Sequence, residues 1–296
     1  MPTFKNNLIS VLLMKHTIKI TAIVLLMFLL AQLIGLVIVK QYLPRETLPF
    51  NIEKPQLEEQ TSFIPLFITI MVATILALIL IRFSAMRLWK LWFFLSVLFT
   101  LVIAFAAFIP QAIALALALI LALWKVLRPN IYIHNLTELF IYGGLAAIFV
   151  PVLSIFSVSI LMILIAIYDM IAVWKTKHMI KLAKFQANSK TFAGLLIPYS
   201  LKKPKPKKGV SKKIMVPVKT AILGGGDIGF PLLFAGVILK TSTFLNAFII
   251  SVFAALALMF LFIIAKKKKF YPAMPFITAG CFIGLGVVWL ISQLIL

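Results

Sequence analysis

The run LWFFLSVLFTLVIAFAAFIPQAIALALALILALW, Leu91 to Trp124, carries no charged side chain over 34 residues. As one helix it would be about 51 Å long at 1.5 Å per residue, against a bilayer core of about 30 Å. Proline has no backbone N–H to donate and crowds the preceding turn, so Pro110-Gln111 is the natural break. The run therefore reads as two crossings joined by a tight turn. Arg82, Arg87 and Lys90 precede it and Lys125 and Arg128 follow it, so both ends lie on one side, as a hairpin requires.

The same counting extends in both directions. Toward the N-terminus, Phe63 to Ile81 ends at Arg82, and Ile20 to Val39 lies between Lys19 and Lys40. The latter is too long for a signal peptide and lacks a small-residue cleavage site, which predicts a retained anchor. The polar loop from Lys40 to Ser62 holds Glu46, Glu53, Glu58 and Glu59. Toward the C-terminus, Glu138 to Trp174 is again too long for one helix. Asn135-Leu-Thr-Glu138 reads as a capping box opening the fifth helix, with Glu138 as the capping acid, and a turn near Pro151 to Ser154 starts the sixth. Thr220 to Leu239, Leu245 to Ala265 and Tyr271 to the C-terminus complete nine spans. Between them lies a basic Pro/Lys loop, residues 175–219, expected to be a solvated and mostly disordered linker. The expected organisation is a six-helix part over 1–174, that loop, and a three-helix part over 220–296.

Composition and charge agree with an all-α polytopic membrane protein. Hydrophobic residues make up 63% of the chain and charged residues 12%, half the roughly 25% of an ordinary soluble domain. An excess of 29 Lys+Arg over 7 Asp+Glu is a charge balance that nucleic-acid binding would also give, but the basic residues sit in short runs between apolar spans and read as topology signals. No nucleic-acid partner is expected. With the N-terminus cytoplasmic, only Lys40, Arg45, Lys54 and Lys240 fall outside. Merging either hairpin into one helix would export a heavily basic loop. Nine helices, N-terminus cytoplasmic and C-terminus outside, follow, with a multi-pass cell-membrane location. Cys281 is the single cysteine and reads as a packing residue; His16, His134 and His178 show no metal-ligand spacing. No metal or organic cofactor is expected. The sequon at Asn135 falls on the cytoplasmic side and reads as chance.

The chain has two aspartates, Asp169 and Asp227, and both lie in apolar spans. An Asp at a membrane-helix centre costs roughly 2.5–3.5 kcal/mol on insertion scales, so each calls for a function. Counted from Lys175 and Lys219 as helix, they lie roughly 9 and 12 Å in from the cytoplasmic boundary. Two carboxyls close together in a low-dielectric site cannot both ionise. One then holds a proton and the other acts as a base, a combination suited to peptide hydrolysis. The same pair would also suit proton or ion transport, or hydrogen bonds between helices. Asp227 stands in Gly224-Gly-Gly-Asp227-Ile-Gly-Phe-Pro231, whose glycines let neighbouring backbone approach closely.

Tyr168-Asp169, Gly224-Gly225-Gly226-Asp227 and Pro272-Ala273-Met274, in this order within nine spans, resemble the motifs of the presenilin and signal peptide peptidase family of intramembrane aspartyl (GxGD) proteases, particularly its archaeal members. The resemblance implies that Asp169 and Asp227 are the catalytic pair, that Gly224 and Gly226 are the GxGD glycines, and that Pro272, Ala273 and Met274 shape the substrate cleft. Tyr168 would orient Asp169 or donate to substrate, or serve as an interfacial aromatic. The family's third motif ends in Leu where this chain has Met274, a volume-conserving change. Implied substrates are membrane-embedded helical peptides, such as signal-peptide remnants, reached from the lipid bilayer. Ile214 to Val218 would pair with an unwound substrate strand. Prepilin peptidases, which also use a GxGD aspartate, carry a basic residue where this chain has Gly229 and lack the Tyr-Asp and Pro-Ala elements. A transporter or channel would commonly show two similar halves, and no internal repeat is visible.

Overall fold

A computed structural model of the chain describes residues 18–83, 85–176, 182, 185, 186, 189, 191–198, 220–265 and 271–295. Among these are nine α-helices: α1 Ile18–Tyr42, α2 Phe63–Arg82, α3 Met86–Ala106, α4 Gln111–Leu127, α5 Ile131–Phe149, α6 Ile155–Met170, α7 Gly225–Thr241, α8 Phe244–Ile264 and α9 Met274–Ile295. Seven are long and apolar enough to cross a membrane; α4 and α7 are apolar but only 17 residues each. Two small antiparallel hairpins complete the fold. Strands β1 Thr47–Leu48 and β2 Ile52–Glu53 lie after α1, and β3 Gly194–Pro198 pairs with β4 Thr220–Gly224.

The breaks form where the backbone chemistry calls for them. Helix α3 ends at Ala106, the N–H groups of Phe108 and Ile109 both turn back on the carbonyl of Phe105, and Pro110 occupies the N-cap position of α4. A 3-10 turn over Val150–Val152 separates α5 from α6, and the Ser154 hydroxyl caps α6 by accepting from the Ser157 N–H at 3.1 Å.

Three boundaries differ from the sequence reading. Helix α5 starts at Ile131, with Asn130 as its cap accepting from the Tyr132 N–H. Asn135 and Glu138 therefore lie inside the helix and form no capping box: Asn130, five residues after Lys125, is an equally good N-cap and comes first. The seventh apolar segment opens as strand β4, and its helix begins only at Gly225. Three consecutive glycines are poor helix formers, so the preceding residues pair with β3 instead. Part of the segment read as a disordered linker is thus ordered, Gly194–Pro198 forming β3. The Lys-Pro run at 202–208 and Ile214 to Val218 lie outside the described residues.

Helix α7 is the centre of the bundle. Ile228, Gly229 and every residue from Pro231 to Leu239 are buried, and α1, α5, α6, α8 and α9 all pack against it. Small residues make this possible. A side chain at Gly35 on α1 would run into Leu232, and one at Gly236 would run into Val150. The outer helices turn apolar side chains outward; on α2 these are Ile64, Ile68, Val72, Ile75 and Ile79, a helical stripe suited to lipid. At the end of α7 remote from Asp227, Lys240 Nζ bonds to Glu59 Oε1 at 2.6 Å and to the Pro151 carbonyl at 2.9 Å, joining the loop after α1 to the α5–α6 turn.

Helices α3 and α5 touch backbone to backbone at Gly144, where an added Cβ would lie 2.0 Å from the Thr100 carbonyl oxygen. Gly144→Ala should therefore push the two helices apart. Overpacking of this kind costs about 1–3 kcal/mol, to be read as a lowered unfolding midpoint in detergent. An unchanged midpoint would contradict this packing.

Candidate active site

Both aspartates sit at the same end of the bundle. Asp169 is the penultimate residue of α6 and is only 6% exposed. Just beyond it the backbone widens into a π-helical turn over Ile171–Lys175, a feature often found at functional positions. Its carboxylate accepts the Met274 N–H at 3.1 Å and also the Ala273 N–H, so the backbone entering α9 cradles it. Pro272 and Ala273 precede α9 rather than belonging to it. As a proline, Pro272 cannot continue a helix on its N–H side, and the N–H groups that open α9 are left for a carboxylate, the arrangement a helix N-terminus favours.

Asp227 is the third residue of α7. Its side chain turns back on the N–H of Gly224, the N-cap residue. This is the acidic half of a capping box, without a side chain at the N-cap to reciprocate. Pro231, four residues on, cannot donate to the Asp227 carbonyl, which loosens the first turn. The next carbonyl, that of Ile228, accepts from Gln32 Nε2 of α1 at 2.9 Å, and Gln32 is itself bonded to Ser251 of α8. Since β4 is a strand, the depth of Asp227 is not a helical rise of eight residues. It is set by its place on the first turn of α7.

Helices α6, α7 and α9 pack against one another, and Asp169 lies within electrostatic range of Asp227. Asp227, Tyr271 and Ala273 line a cavity of about 80 Å³ together with Ile222 and Leu223 of β4, several times the ~15 Å³ that admits one water. A larger cavity of about 490 Å³ lies at the opposite end, beside Glu59, Ser154 and Lys240. Size does not decide between them, because the second holds no paired carboxyls. Tyr168 is half-buried and its hydroxyl is hydrogen-bonded to Thr74 of α2, which leaves it beside Asp169 and directed to a neighbouring helix.

Of the three consecutive glycines before Asp227, the tightest is the middle one, between the two GxGD glycines. A Cβ at Gly225 would lie 2.8 Å from the Tyr142 hydroxyl, whereas at Gly226 the nearest atom is 3.6 Å away, ordinary contact, and at Gly224 it is the Asp227 carboxylate at 3.2 Å. Tyr142 and Gln32 are absent from the sequence reading, which gives Glu138 only a capping role. Gln32 and Glu138 carried the only available signal, a polar side chain within an apolar span. Among the described residues no group of three or more His, Cys, Asp or Glu side chains could hold a metal.

The sequence profile of the family described as "Signal-peptide peptidase, presenilin aspartyl protease" matches residues 25–294. Two solved structures are similar in fold. Both are of a presenilin family intramembrane aspartate protease, in two space groups. In C222 the TM-score is 0.63 at 20% identity, covering 92% of this chain and 99% of that one. In P2 the TM-score is 0.61 at 21% identity, covering 90% and 96%. No curated protein matches significantly.

Adjacent placement of the aspartates predicts a cross-link. In a Cys281→Ser background, cysteines introduced at positions 169 and 227 should be joined by a short bifunctional thiol reagent, read as a mass increase of one bridged adduct. Failure with several reagent lengths in folded protein would show that the two positions do not face each other.

Proposed function

The chain belongs to the signal-peptide peptidase and presenilin family of aspartyl proteases, and from that premise we propose that Asp169 and Asp227 are its catalytic pair. As a member of the family it is an intramembrane aspartyl protease, a multi-pass membrane hydrolase. One observation carries the assignment. The only two aspartates of the chain, 58 positions apart (227 − 169), end one helix and begin another that packs against it, at the same end of the bundle.

In this mechanism one carboxylate takes a proton from water as the water oxygen attacks the scissile carbonyl carbon, and the protonated partner donates to the carbonyl oxygen. The tetrahedral intermediate collapses with cleavage of the C–N bond, and the leaving amine takes up a proton from the pair. No metal or organic cofactor takes part. The Met274 and Ala273 N–H groups hold Asp169 in place while the reaction proceeds.

The substrate class is a helical membrane segment, such as a signal-peptide remnant. Its carbonyls are hidden in its own hydrogen bonds, so the helix must unwind before cleavage. Strand β4 favours that step: among the described residues it pairs with β3 alone, and Ile222 is 52% exposed. An unwound segment would add to its open edge by main-chain hydrogen bonds. Pro272, Ala273 and Met274 form the wall beside Asp169, and Gly224 and Gly226 keep the approach to Asp227 free of side chains. The proposed orientation puts this end on the cytoplasmic side of the cell membrane, with the C-terminus outside. A transporter built on the same carboxyl pair is not favoured, since the family match spans nearly the whole chain.

Asp169→Asn and Asp227→Asn should each remove cleavage of a model membrane substrate while the protein stays folded and inserted, because the two groups act as a unit. Substantial turnover by either variant would sink the assignment.

The site of cutting follows from where the aspartates lie. Initial cleavage should fall in the cytoplasmic part of the substrate's membrane segment, and helix-weakening glycines there should speed it. Unwinding at the bilayer centre would expose peptide groups at several kcal/mol each. Mass spectrometry of products from a substrate of known orientation decides this, and first cuts in the outer half would overturn it.

A further inference from the structure

Lys125 of α4 and Glu138 of α5 form an ion pair at 2.5 Å, with the two side chains 2% and 1% exposed. Nothing in the reaction above uses them, and a buried ion pair is weak evidence of stability, since well-packed apolar replacements are often neutral or better. Their connections point elsewhere. Lys125 Nζ also donates to Thr137 Oγ1 at 2.8 Å and to the His134 carbonyl at 3.4 Å, so its three protons are taken. The second carboxylate oxygen, Glu138 Oε2, accepts from the Tyr142 hydroxyl and, at 2.9 Å, from the Gly194 N–H. The carbonyl of the same Gly194 lies 2.7 Å from His134 Nε2. Two side chains of α5 thus grip one residue of β3, at its N–H and at its carbonyl. Two residues along, Asn135 holds both the N–H and the carbonyl of Leu196.

Gly194 is placed where that grip reaches the site. It pairs with Gly224 in the hairpin, and the Gly225 N–H donates to the Ala193 carbonyl at 3.2 Å. Its φ of +136° and the Leu223 carbonyl 2.2 Å from an added Cβ admit only glycine. Gly224 in turn donates to Asp227. A second route runs through Tyr142, whose hydroxyl backs Gly225 and whose ring lies against Gly229, and which lies within electrostatic range of Asp227 itself. Both routes begin at Glu138 Oε2 and end on the first turn of α7.

We propose that Glu138, oriented by Lys125, is a positioning residue for the reaction: through Gly194 and Tyr142 it fixes the turn that presents Asp227. The inference rests on the reading of Asp227 as catalytic. Lys125 satisfies the distal oxygen and neutralises the carboxylate, which frees Oε2 to hold the hairpin and the tyrosine together. Small displacements of a reacting group cost rate more than affinity, so loss of this grip lowers kcat and leaves KM nearly unchanged.

Paired substitutions separate this role from stability. In Lys125→Met/Glu138→Gln the core is neutral, and the amide oxygen still accepts from both Gly194 and Tyr142. In Lys125→Met/Glu138→Leu the core is equally neutral but nothing grips Gly194. Each is compared with wild type for cleavage of a model membrane substrate, alongside the unfolding midpoint. The Leu variant should lose at least about tenfold in kcat with KM within about twofold, and the Gln variant should recover to within about threefold of wild type. A folded Leu variant with wild-type kcat, or a folded Gln variant as slow as the Leu variant, would overturn the proposal. Should the Leu variant fail to fold, His134→Phe decides, since it deletes the other bond to Gly194. A several-fold loss in kcat at unchanged KM is expected, and undiminished kcat is the contrary result. Asp227→Ala, assayed in parallel, keeps the two ideas apart: cleavage by that variant would remove the catalytic reading itself, whatever the double variants do.

Discussion

A carboxyl group within a bilayer has no bulk water to solvate it, so its donors must come from the protein itself, and that requirement organises this chain. Asp169 is met by the backbone that enters α9, and Asp227 by the N–H of Gly224. Glu138 is met by Lys125, Tyr142 and Gly194. In each case a main-chain N–H contributes, and each of those N–H groups is available because the backbone there is not helical or is only beginning to be. The positions of the chain breaks and of the buried acids are therefore one problem with one solution. A continuous helix through Gly224 or Pro272 would commit the N–H groups that these carboxylates need.

Placing such a site next to a central helix demands close packing around it. Helix α7 is enclosed by five others, and it can be so because the residues facing it are small or because its own are. A Cβ at Gly35 would meet Leu232 of α7, and one at Gly236 of α7 would meet Val150, both within 3.0 Å; Gly143 and Gly144 let α5 approach α1 and α3 as closely. Hydrocarbon outside the protein supplies no hydrophobic drive for helices to associate, so contact area and fit carry the association. The exposed leucines and isoleucines of α2 contribute nothing to that fit and serve only as the lipid-facing surface.

The nine helices of the described residues and most of their limits were legible because hydropathy and punctuation by Pro110, Pro151, Ser154 and the lysines act locally. The sequence singled out the two aspartates for the same reason, since each is costly where it stands and only a partner or a task explains it; both lie at one end of the bundle. What could not be read is what depends on contacts across the chain. Glu138 looked like a capping acid because Asn135-Leu-Thr-Glu138 satisfies the local pattern. Its real partners lie 13 residues back in Lys125 and 56 residues ahead in Gly194. Strand β4 looked like the first turns of a helix because five apolar and small residues fit either period, and only β3, inside a segment of lysines and prolines, decides between them. The middle glycine of Gly224-Gly225-Gly226 is the constrained one only because Tyr142 arrives from another helix.

Three departures from helical geometry meet at one end of the bundle: the π-helical turn after Asp169, the β3–β4 hairpin before Asp227, and the Pro272-Ala273 lead into α9. Irregular backbone at membrane depth is tolerated only where protein covers it or where it lines a cavity that admits water. At the opposite end an ion pair between Lys240 and Glu59 ties the α1–α2 loop to the α5–α6 turn. In the proposed mechanism this is the end where water enters, and it carries both aspartates. A peptide bond can be hydrolysed inside a membrane only where a strand-like substrate, a water molecule and a carboxyl pair can share one space. In the proposed mechanism the unwound entries of α7 and α9 create that space, by withholding helix where the substrate has to stop being one.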